Sequence, residues 1–255
     1  MYINSFVEYY KKAHREGLST VYILFWTLVY KLTRNRTGFY RRMAAKIAFS
    51  KYNIKFPDKS RVEEVFLDKE YTMYKDFLPN TKDIVIDIGA QFGDYAILCA
   101  AYYKAKVVTF EPLRSNFKLI KEAIYLNNLS SKEINAYNLG LGDRNRVITT
   151  NFNGDMINSM KAGKKVKMSV RTLDYFNFSP TIIKIDVEGY ELQVLNGAKN
   201  TLRKYHPKII IETHGRRLKS EVLKFLSKYR YKIKHYGNSK EDCGKFDFVQ
   251  VIFLN

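Results

Sequence analysis

Three short segments of the sequence combine glycine or acidic residues in patterns that could bind a small ligand. The first is residues 87–94, Asp-Ile-Gly-Ala-Gln-Phe-Gly-Asp, at the end of the apolar run Ile84–Ile88. Gly89 can adopt a positive φ, and the small side chain of Ala90 lets a ligand approach the backbone. The next glycine is Gly93, a spacing that differs from the GxGxxG pattern of dinucleotide-binding turns. A pyrophosphate-binding turn is therefore a poor match.

The second segment is Phe110-Glu111-Pro112, which follows the apolar run Lys106–Phe110. Glu111 follows Gly89 at close to the roughly 20 residues expected for an acid that accepts hydrogen bonds from ribose hydroxyls. An acid after a strand can also be an ordinary surface carboxylate. Its combination with a glycine turn at this spacing favours the ribose role.

The third segment, residues 186–191, reads Asp-Val-Glu-Gly-Tyr-Glu and carries three acids. Asp186 and Glu188 share a face if the preceding strand continues, and Gly189 ends that strand. Two such carboxylates suit a cationic ligand, a metal ion or proton transfer. The alternative, acids at a helix N-terminus, accounts for Glu188 but not for an Asp186 that ends a buried strand.

Alternating strands and helices are predicted to position these segments. The predicted strands are Ile84–Ile88, Lys106–Phe110, Ile134–Asn138, Ile182–Asp186, Ile209–Glu212, Tyr231–Tyr236 and Phe246–Phe253. The predicted helices are Phe92–Tyr103, Arg114–Asn127, Tyr190–Lys204 and Arg216–Lys228. This alternation predicts an α/β fold with a doubly wound, mostly parallel sheet and right-handed crossovers. Such sheets bind ligands beyond the carboxyl ends of their strands, where all three segments lie.

Taken together, these residues resemble the FkbM family of S-adenosylmethionine-dependent methyltransferases. The six ordered motifs that carry the resemblance are Asp87–Tyr95, Phe110–Pro112, Leu126–Leu129, Thr172–Asp174, Ile183–Glu191 and Ile210–His214. The upstream pair Glu64 and Tyr71 also resembles an acid and a tyrosine found before the first strand in that family. Gln91 departs from the asparagine that is common there. The resemblance covers roughly residues 60 to 215 and implies the Rossmann-like sheet of class I methyltransferases.

The resemblance implies that S-adenosylmethionine is the cofactor. Its predicted binding residues are Asp87, Gly89, Ala90, Gln91, Gly93, Glu111, Pro112 and Asp186. The chemistry agrees, because a sulfonium donor has no pyrophosphate and does not need a dinucleotide turn. Its carboxylate can use the amides that open the following helix.

Family members typically methylate hydroxyl groups, often on the sugars of glycans, glycolipids or natural products. A sugar hydroxyl is a weak nucleophile, so a base beside the acceptor oxygen should assist its reaction. Among the histidines, His214 stands at the carboxyl end of a predicted core strand. We predict His214 as the general base, Asp186 as its support and Glu188 as the alternative base. No metal site is predicted, although carboxylate-bound Mg²⁺ or Ca²⁺ is an alternative, as is a histidine that only caps a strand.

Composition and charge restrict the class of protein. The 255-residue chain is 46% apolar and 27% charged, which is typical of a globular protein. Cys99 and Cys243 lie far apart, which excludes a disulfide framework or a cysteine zinc site and fits a reducing compartment. The net charge of +19 is concentrated in residues 1–55 and 199–240. Such basic segments favour nucleic acid phosphates, an anionic membrane or a phosphorylated lipid carrier as partners.

The charge pattern also divides the chain into a basic, aromatic-rich helical extension, residues 1–55, and a methyltransferase domain, residues 56–255. Within the extension, the uncharged run Gly17–Tyr30 spans about 21 Å as a helix, short of the ~30 Å hydrocarbon core. Glu8 and Glu16 argue against a signal peptide. Two interpretations stay open: a helical hairpin on an anionic membrane, or a cap packed on the domain.

A sugar-containing acceptor, such as a glycan or lipid-linked glycan, accounts best for both the site and the basic ends. Polyprenyl-phosphate-linked glycans would place the protein in the cytoplasm, peripheral to the inner face of the cell membrane. An RNA 2′-O-methyltransferase and a noncatalytic membrane-associated binding protein are the alternatives. Adjacent prolines, which typify methyltransferases that act on exocyclic amines, do not occur in the sequence.

Overall fold

A computed structural model describes residues 10–33, 36–153, 156–157, 164–238 and 246–253. Its strands are β1 (Ile84–Ile88), β2 (Lys106–Phe110), β3 (Ile134–Tyr137), β4 (Gly140–Leu141), β5 (Arg146–Asn153), β6 (Met156–Ile157), β7 (Lys164–Arg171), β8 (Ile182–Ile185), β9 (Lys208–His214), β10 (Tyr231–Asn238) and β11 (Phe246–Phe253). Its helices are α1 (Thr20–Thr33), α2 (Arg36–Tyr52), α3 (Asp94–Ala101), α4 (Arg114–Leu126), α5 (Glu191–Asn196), α6 (Lys199–Tyr205) and α7 (Arg216–Lys228).

The main sheet has the strand order β10-β11-β9-β8-β1-β2-β3. Strand β1 pairs in parallel with β2 on one side and β8 on the other, and β11 runs antiparallel to β9 and β10. The chain leaves β1 toward β2 and later returns to β8 on the opposite side. This reversal opens a crevice beyond the carboxyl end of β1, between the turns that follow β2 and β8.

Most predicted elements are confirmed, with three differences. The first predicted helix begins at Asp94, because Gly93 has φ +77° and cannot be part of it. The helix predicted over Tyr190–Lys204 is two helices, α5 and α6. Strand β8 ends at Ile185, one residue before its predicted end at Asp186, and does not continue to place Asp186 and Glu188 on one face. Glu188 instead has φ +53° and lies in a turn.

A second sheet, of order β4-β7-β5-β6, was not predicted from the sequence. The second sheet contacts the main domain where two glycines pack closely. A Cβ on Gly197, between α5 and α6, would lie 1.9 Å from the carbonyl oxygen of Gly142. The break between the two helices lies at this close contact. Arg146 of β5 also donates a hydrogen bond to the hydroxyl of Tyr190, just before α5.

Two of the motifs in the family resemblance have structural roles. The side-chain carboxylate of Asp174 accepts hydrogen bonds from the amides of Asn200 and Thr201, at 2.9 and 2.8 Å, and so caps the first turn of α6. The side-chain amide of Asn127 pairs with the backbone amide and carbonyl of Lys55, at 2.9 and 2.7 Å. Asn127 therefore ties the end of the N-terminal segment to α4.

The N-terminal helices pack on one face of the main sheet. The apolar cluster on that face contains Ile23, Met43 and Ile47 together with Val85 and Val107 of the sheet. The opposite face is covered by α5, α6 and α7. The division of the chain at residue 55 stays a prediction, but residues on both sides of it share one core. Within the described residues, no helix has the length and apolar character needed to cross a membrane.

Neighbouring residues of α1 allow a test of this packing. Ile23 is fully buried, whereas Leu24 is 55% exposed. Replacing Ile23 by Ala should lower the free energy of unfolding by about 2–5 kcal/mol, because it leaves a cavity in the core. The matched change Leu24→Ala should alter it by no more than about 0.5 kcal/mol. Urea unfolding followed by circular dichroism measures both, and equal losses would show that α1 is not packed as described.

Candidate active site

The turn after β1 is fixed by contacts on two sides. The amides of Gly89 and Ala90 donate hydrogen bonds to the carbonyl oxygen of Phe110, at 3.0 and 3.1 Å. Gly89 has φ +77°, and a Cβ there would lie 1.7 Å from the carbonyl oxygen of Asp186. Glycine is required because any side chain would push β1 and β8 apart. The approach places the predicted cofactor turn beside the predicted catalytic carboxylate.

Glu111 joins the turn after β1 to the turn after β2. Its Oε2 accepts a hydrogen bond from the amide of Gln91 at 2.8 Å, and its Oε1 accepts one from the amide of Leu113 at 2.7 Å. Burial raises the pKa of Glu111 to about 8, although these two hydrogen bonds act in the opposite direction. Each carboxylate oxygen can accept a second hydrogen bond. Glu111 thus keeps acceptor capacity for ribose hydroxyls, and that role stays a prediction.

Pro112 and Gln91, two other predicted cofactor residues, lie in the same two turns. The carbonyl oxygens of Glu111 and Pro112 accept hydrogen bonds from the side-chain amide of Asn138, at 2.9 and 3.1 Å. Gln91 has φ +48°, a conformation that asparagine adopts more readily than glutamine. This preference gives a physical reason for the asparagine that is common in the family.

The buried ammonium group of Lys184 lies between the strand ends. It donates to the carbonyl oxygen of Gly89 at 3.1 Å and lies 3.4 Å from Asp87 Oδ1 and 3.6 Å from Asp186 Oδ2. Asp186 Oδ2 also accepts a hydrogen bond from the hydroxyl of Tyr71 at 3.0 Å. Burial raises the pKa of Asp87, and the charge of Lys184 opposes this. Neither carboxylate oxygen of Asp87 has a hydrogen-bond partner among the described residues.

His214 stands at the end of β9 among acidic residues. Its Nδ1 lies 2.8 Å from Oε1 of the fully buried Glu191, and its Nε2 lies 3.4 Å from Oε2 of Glu188. Burial alone would lower the pKa of His214. The hydrogen bond and charge of Glu191, with the charges of Asp186 and Glu188, outweigh burial and raise the pKa to about 9. In this arrangement His214 is a cation at neutral pH.

The structure brings His214 and Asp186 together and adds Glu212 to them. One side-chain ligand atom from each of these three residues lies within 4.8 Å of the other two. Carboxylate and imidazole groups at this spacing could hold a divalent cation. The prediction of no metal site is not tested by this arrangement and stays a prediction.

Several carboxyl groups around this site hold protons more tightly than usual. Burial, with the charge of Asp186, raises the pKa of Glu64 to about 7 and that of Glu212 to about 8. Burial, with the charge of Glu64, raises the pKa of Glu70 to about 9. These buried acids can ionise when a cation binds beside them, so the crevice is suited to positively charged ligands.

Sequence reasoning did not assign site roles to Tyr71, Lys184, Glu191 and Glu212. Glu212 could have been found, because residues two apart on a strand point to the same side and His214 was already selected. Tyr71 was marked only by the family resemblance, and its contact with Asp186 was not predicted, since it arises through the folding of a segment distant in sequence.

Comparison with known proteins identifies the family. A family model described as the methyltransferase FkbM domain matches residues 87–233. The chain belongs to the FkbM methyltransferase family. A solved structure of an FkbM methyltransferase from Methylobacillus flagellatus KT superimposes with a TM-score of 0.54 at 17% identity, over 97% of this chain and 59% of the other. This likeness confirms the Rossmann-like fold of class I methyltransferases.

Two relatives match in sequence. The hexuronic acid methyltransferase AglP of Haloferax volcanii is 27% identical over 153 residues, 57% of this chain and 62% of AglP. Methyltransferase 1 of Beauveria bassiana is 26% identical over 165 residues, 53% of this chain and 65% of that protein. The chain thus spans less than two thirds of the length of either relative.

Membership of the FkbM family implies S-adenosylmethionine as the methyl donor, and the residues of the crevice fit it. The donor carries a sulfonium and an ammonium group, and the crevice offers Asp186 and the carboxylate of Asp87, which lacks a hydrogen-bond partner. Gly89 and Ala90 leave the backbone of the turn accessible, and Glu111 retains acceptor capacity for the ribose.

Replacing Glu111 by Ala tests the cofactor site. The change removes a hydrogen-bond acceptor for the ribose and the clamp on two turns, so affinity for S-adenosylmethionine should fall by about 10- to 100-fold. The matched change Glu122→Ala, at an exposed position of α4, should leave it unaltered. Isothermal titration calorimetry measures both. An unchanged affinity in Glu111→Ala would remove Glu111 from the cofactor site.

The raised pKa values also predict how stability depends on pH without ligands. A carboxyl group whose pKa is raised on folding binds its proton more tightly in the folded state, so its contribution is lost as pH rises toward the folded pKa. His214 acts in the same direction, because its pKa is raised as well. Melting temperature should therefore fall between pH 6 and pH 9.

The matched variant for this test is Glu70→Gln, whose amide cannot ionise. Because the pKa of Glu70 is raised to about 9, this variant should show a shallower fall in melting temperature over the same pH range. Differential scanning fluorimetry of both proteins at several pH values gives the slopes. A melting temperature that stays constant or rises with pH in the parent protein would contradict the raised pKa values described for this site.

Proposed function

We propose that this FkbM methyltransferase transfers a methyl group to a hydroxyl oxygen of a sugar-containing acceptor, such as a glycan or glycolipid. The observation that carries the proposal is the group formed by His214, Asp186 and Glu212 at the strand ends beside the cofactor turn. A hydroxyl needs a proton acceptor when it is methylated, and this group supplies several. The name of the relative AglP, a hexuronic acid methyltransferase, supports a sugar as the acceptor.

S-adenosylmethionine, when bound, supplies an electrophilic methyl group on a positively charged sulfur. The residues of the chain hold the acceptor oxygen and take its proton. In this proposal Asp186 orients the acceptor, and the proton passes to Nε2 of His214, because Nδ1 is engaged by Glu191. Glu191 then stabilises the imidazolium that results. Glu188, beside Nε2, is the alternative acceptor of the proton.

The raised pKa of His214 constrains this role. With a pKa of about 9, the imidazole is protonated at neutral pH when no ligand is present and cannot act as a base. A cation beside Asp186 offsets part of the negative charge that holds this proton, and so lowers the pKa of His214. We therefore infer that His214 becomes a base only when the positively charged methyl donor is in place.

The same charge distribution disfavours the RNA alternative. An RNA acceptor must bring phosphate groups close to the reacting 2′-hydroxyl, and the strand ends carry the carboxylates of Asp186 and Glu188 there. A hexuronic acid adds a further possibility within the sugar class, because its carboxylate is already ionised and needs no base. The role of His214 therefore distinguishes a hydroxyl acceptor from a carboxylate acceptor.

The acceptor class can be tested with a radiolabelled methyl donor. Candidate acceptors are free hexoses and hexuronic acids, polyprenyl-phosphate-linked oligosaccharides and total RNA. We expect label in the sugar-containing fractions, resistant to mild alkali as an ether is. Alkali-labile label would indicate a methyl ester of a carboxylate and contradict the hydroxyl assignment, and label confined to RNA would contradict the sugar class.

Two variants test the base on whichever acceptor is labelled. His214→Ala should lower kcat by about 10²–10⁴-fold with nearly unchanged affinity for S-adenosylmethionine. Glu191→Gln should move the rising limb of the kcat–pH profile to lower pH, because Glu191 raises the pKa of His214. Glu188→Gln, which removes a more distant charge, should produce a smaller shift in the same direction. Parental turnover in His214→Ala would show that His214 is not the base.

A further inference from the structure

One side of α1 exposes a row of large apolar side chains, here named the apolar stripe. Its members are Val21, Leu24, Phe25 and Leu28, which are 77%, 55%, 57% and 56% exposed. Their spacing of three and four residues places them on one face of the helix. The buried side of the same helix carries Ile23, which belongs to the core. One side of α1 therefore packs on the domain, and the other side faces solvent. The cap interpretation concerns the first side, and the membrane interpretation concerns the second.

Helix α2 continues this surface with an aromatic ring and a cation. Phe49 is 46% exposed. The ammonium group of Lys46 lies 5.8 Å from the centre of the Phe49 ring and 5.9 Å from the centre of the Tyr22 ring of α1. Lys46 therefore spans the boundary between the two helices, with its charge beside the exposed apolar groups.

The surroundings of the stripe are cationic. Lys11, Arg15, Arg42 and Lys46 are exposed. Between residues 10 and 52 the sequence has one acidic residue, Glu16, and its carboxylate is held by Lys51 at 2.7 Å and Lys69 at 3.0 Å. Basic side chains therefore far outnumber acidic ones in the segment that carries the stripe.

We propose that this face of α1 and α2 docks on an anionic lipid bilayer. The stripe side chains enter the boundary between headgroups and acyl chains, and Lys46 and its cationic neighbours contact lipid phosphates. Apolar insertion and electrostatic attraction reinforce each other in such a site. This inference does not depend on the identity of the methyl acceptor.

Two other occupants fit the surface less well. Single-stranded RNA binds to aromatic rings on which bases stack, and three of the four stripe residues are aliphatic. A second copy of the chain would form a symmetric interface, in which the same cationic patch would face itself. An anionic membrane satisfies both the aliphatic stripe and the positive charge.

The test is co-sedimentation of the full-length protein with vesicles. Vesicles of phosphatidylcholine and phosphatidylglycerol should bind the protein in a salt-dependent manner, and vesicles of phosphatidylcholine alone should bind it weakly. The double variant Leu24→Ser with Phe25→Ser should lower the partition coefficient for anionic vesicles at least about tenfold. Both positions are exposed, so its melting temperature should match that of the parent. Unaltered binding by this variant would overturn the proposal.

A matched pair of charge variants separates this site from general attraction. Arg42→Glu with Lys46→Glu should weaken binding by about fivefold or more for each residue changed. Lys224→Glu with Lys228→Glu makes the same charge change on α7, which covers the opposite face of the sheet, and should weaken binding less than twofold. Equal losses in the two pairs would overturn the proposal. Two further outcomes would overturn it. One is that RNA displaces the protein from vesicles and does not bind the stripe variant. The other is that the parent protein is a dimer in sedimentation velocity and the stripe variant is a monomer.

Discussion

The arrangement of the site depends on the ammonium group of Lys184, buried where the carboxyl ends of β1 and β8 meet. Taking an ammonium group out of water is costly unless opposite charges compensate it. Asp87, Asp186 and the carbonyl oxygen of Gly89 provide that compensation. In return, the positive charge of Lys184 offsets the repulsion between Asp87 and Asp186. Because it also bonds to the turn after β1, the same cation fixes the backbone beside the two acids.

The same need for charge balance extends outward from this point. Tyr71 donates a hydrogen bond to Asp186 from the segment before β1. His214, at the end of β9, lies between Glu191 and Glu188. Burial and the charge of Asp186 raise the pKa of another nearby acid, Glu64, which therefore holds its proton more tightly. A cationic methyl donor therefore complements a crevice that has more acidic than basic side chains. The outer surface, in contrast, is basic.

Much of the fold could be predicted because buried parallel strands are short apolar runs, as in Ile84–Ile88. The second sheet could not, because a strand such as Lys164–Arg171 is rich in lysine and has no continuous apolar run. The strand-end placement of the predicted cofactor turn and of the acids could be predicted because it follows from sheet topology. The role of Glu191, the main neighbour that raises the pKa of His214, was not predicted, since Glu191 reaches His214 through the packing of α5 against β9.

The contact between Gly142 and Gly197 has a consequence for how this scaffold can vary. A side chain at Gly197 would displace the backbone of Gly142, and a side chain at Gly142 would meet the side chains of Val170 and Tyr190. The second sheet is therefore joined to the main sheet through positions where added volume is not accommodated. Substitutions should be tolerated at exposed positions of the second sheet, such as Val147, and rejected at Gly142 and Gly197. Variation among related chains is then expected along the exposed strands and not where the two sheets meet.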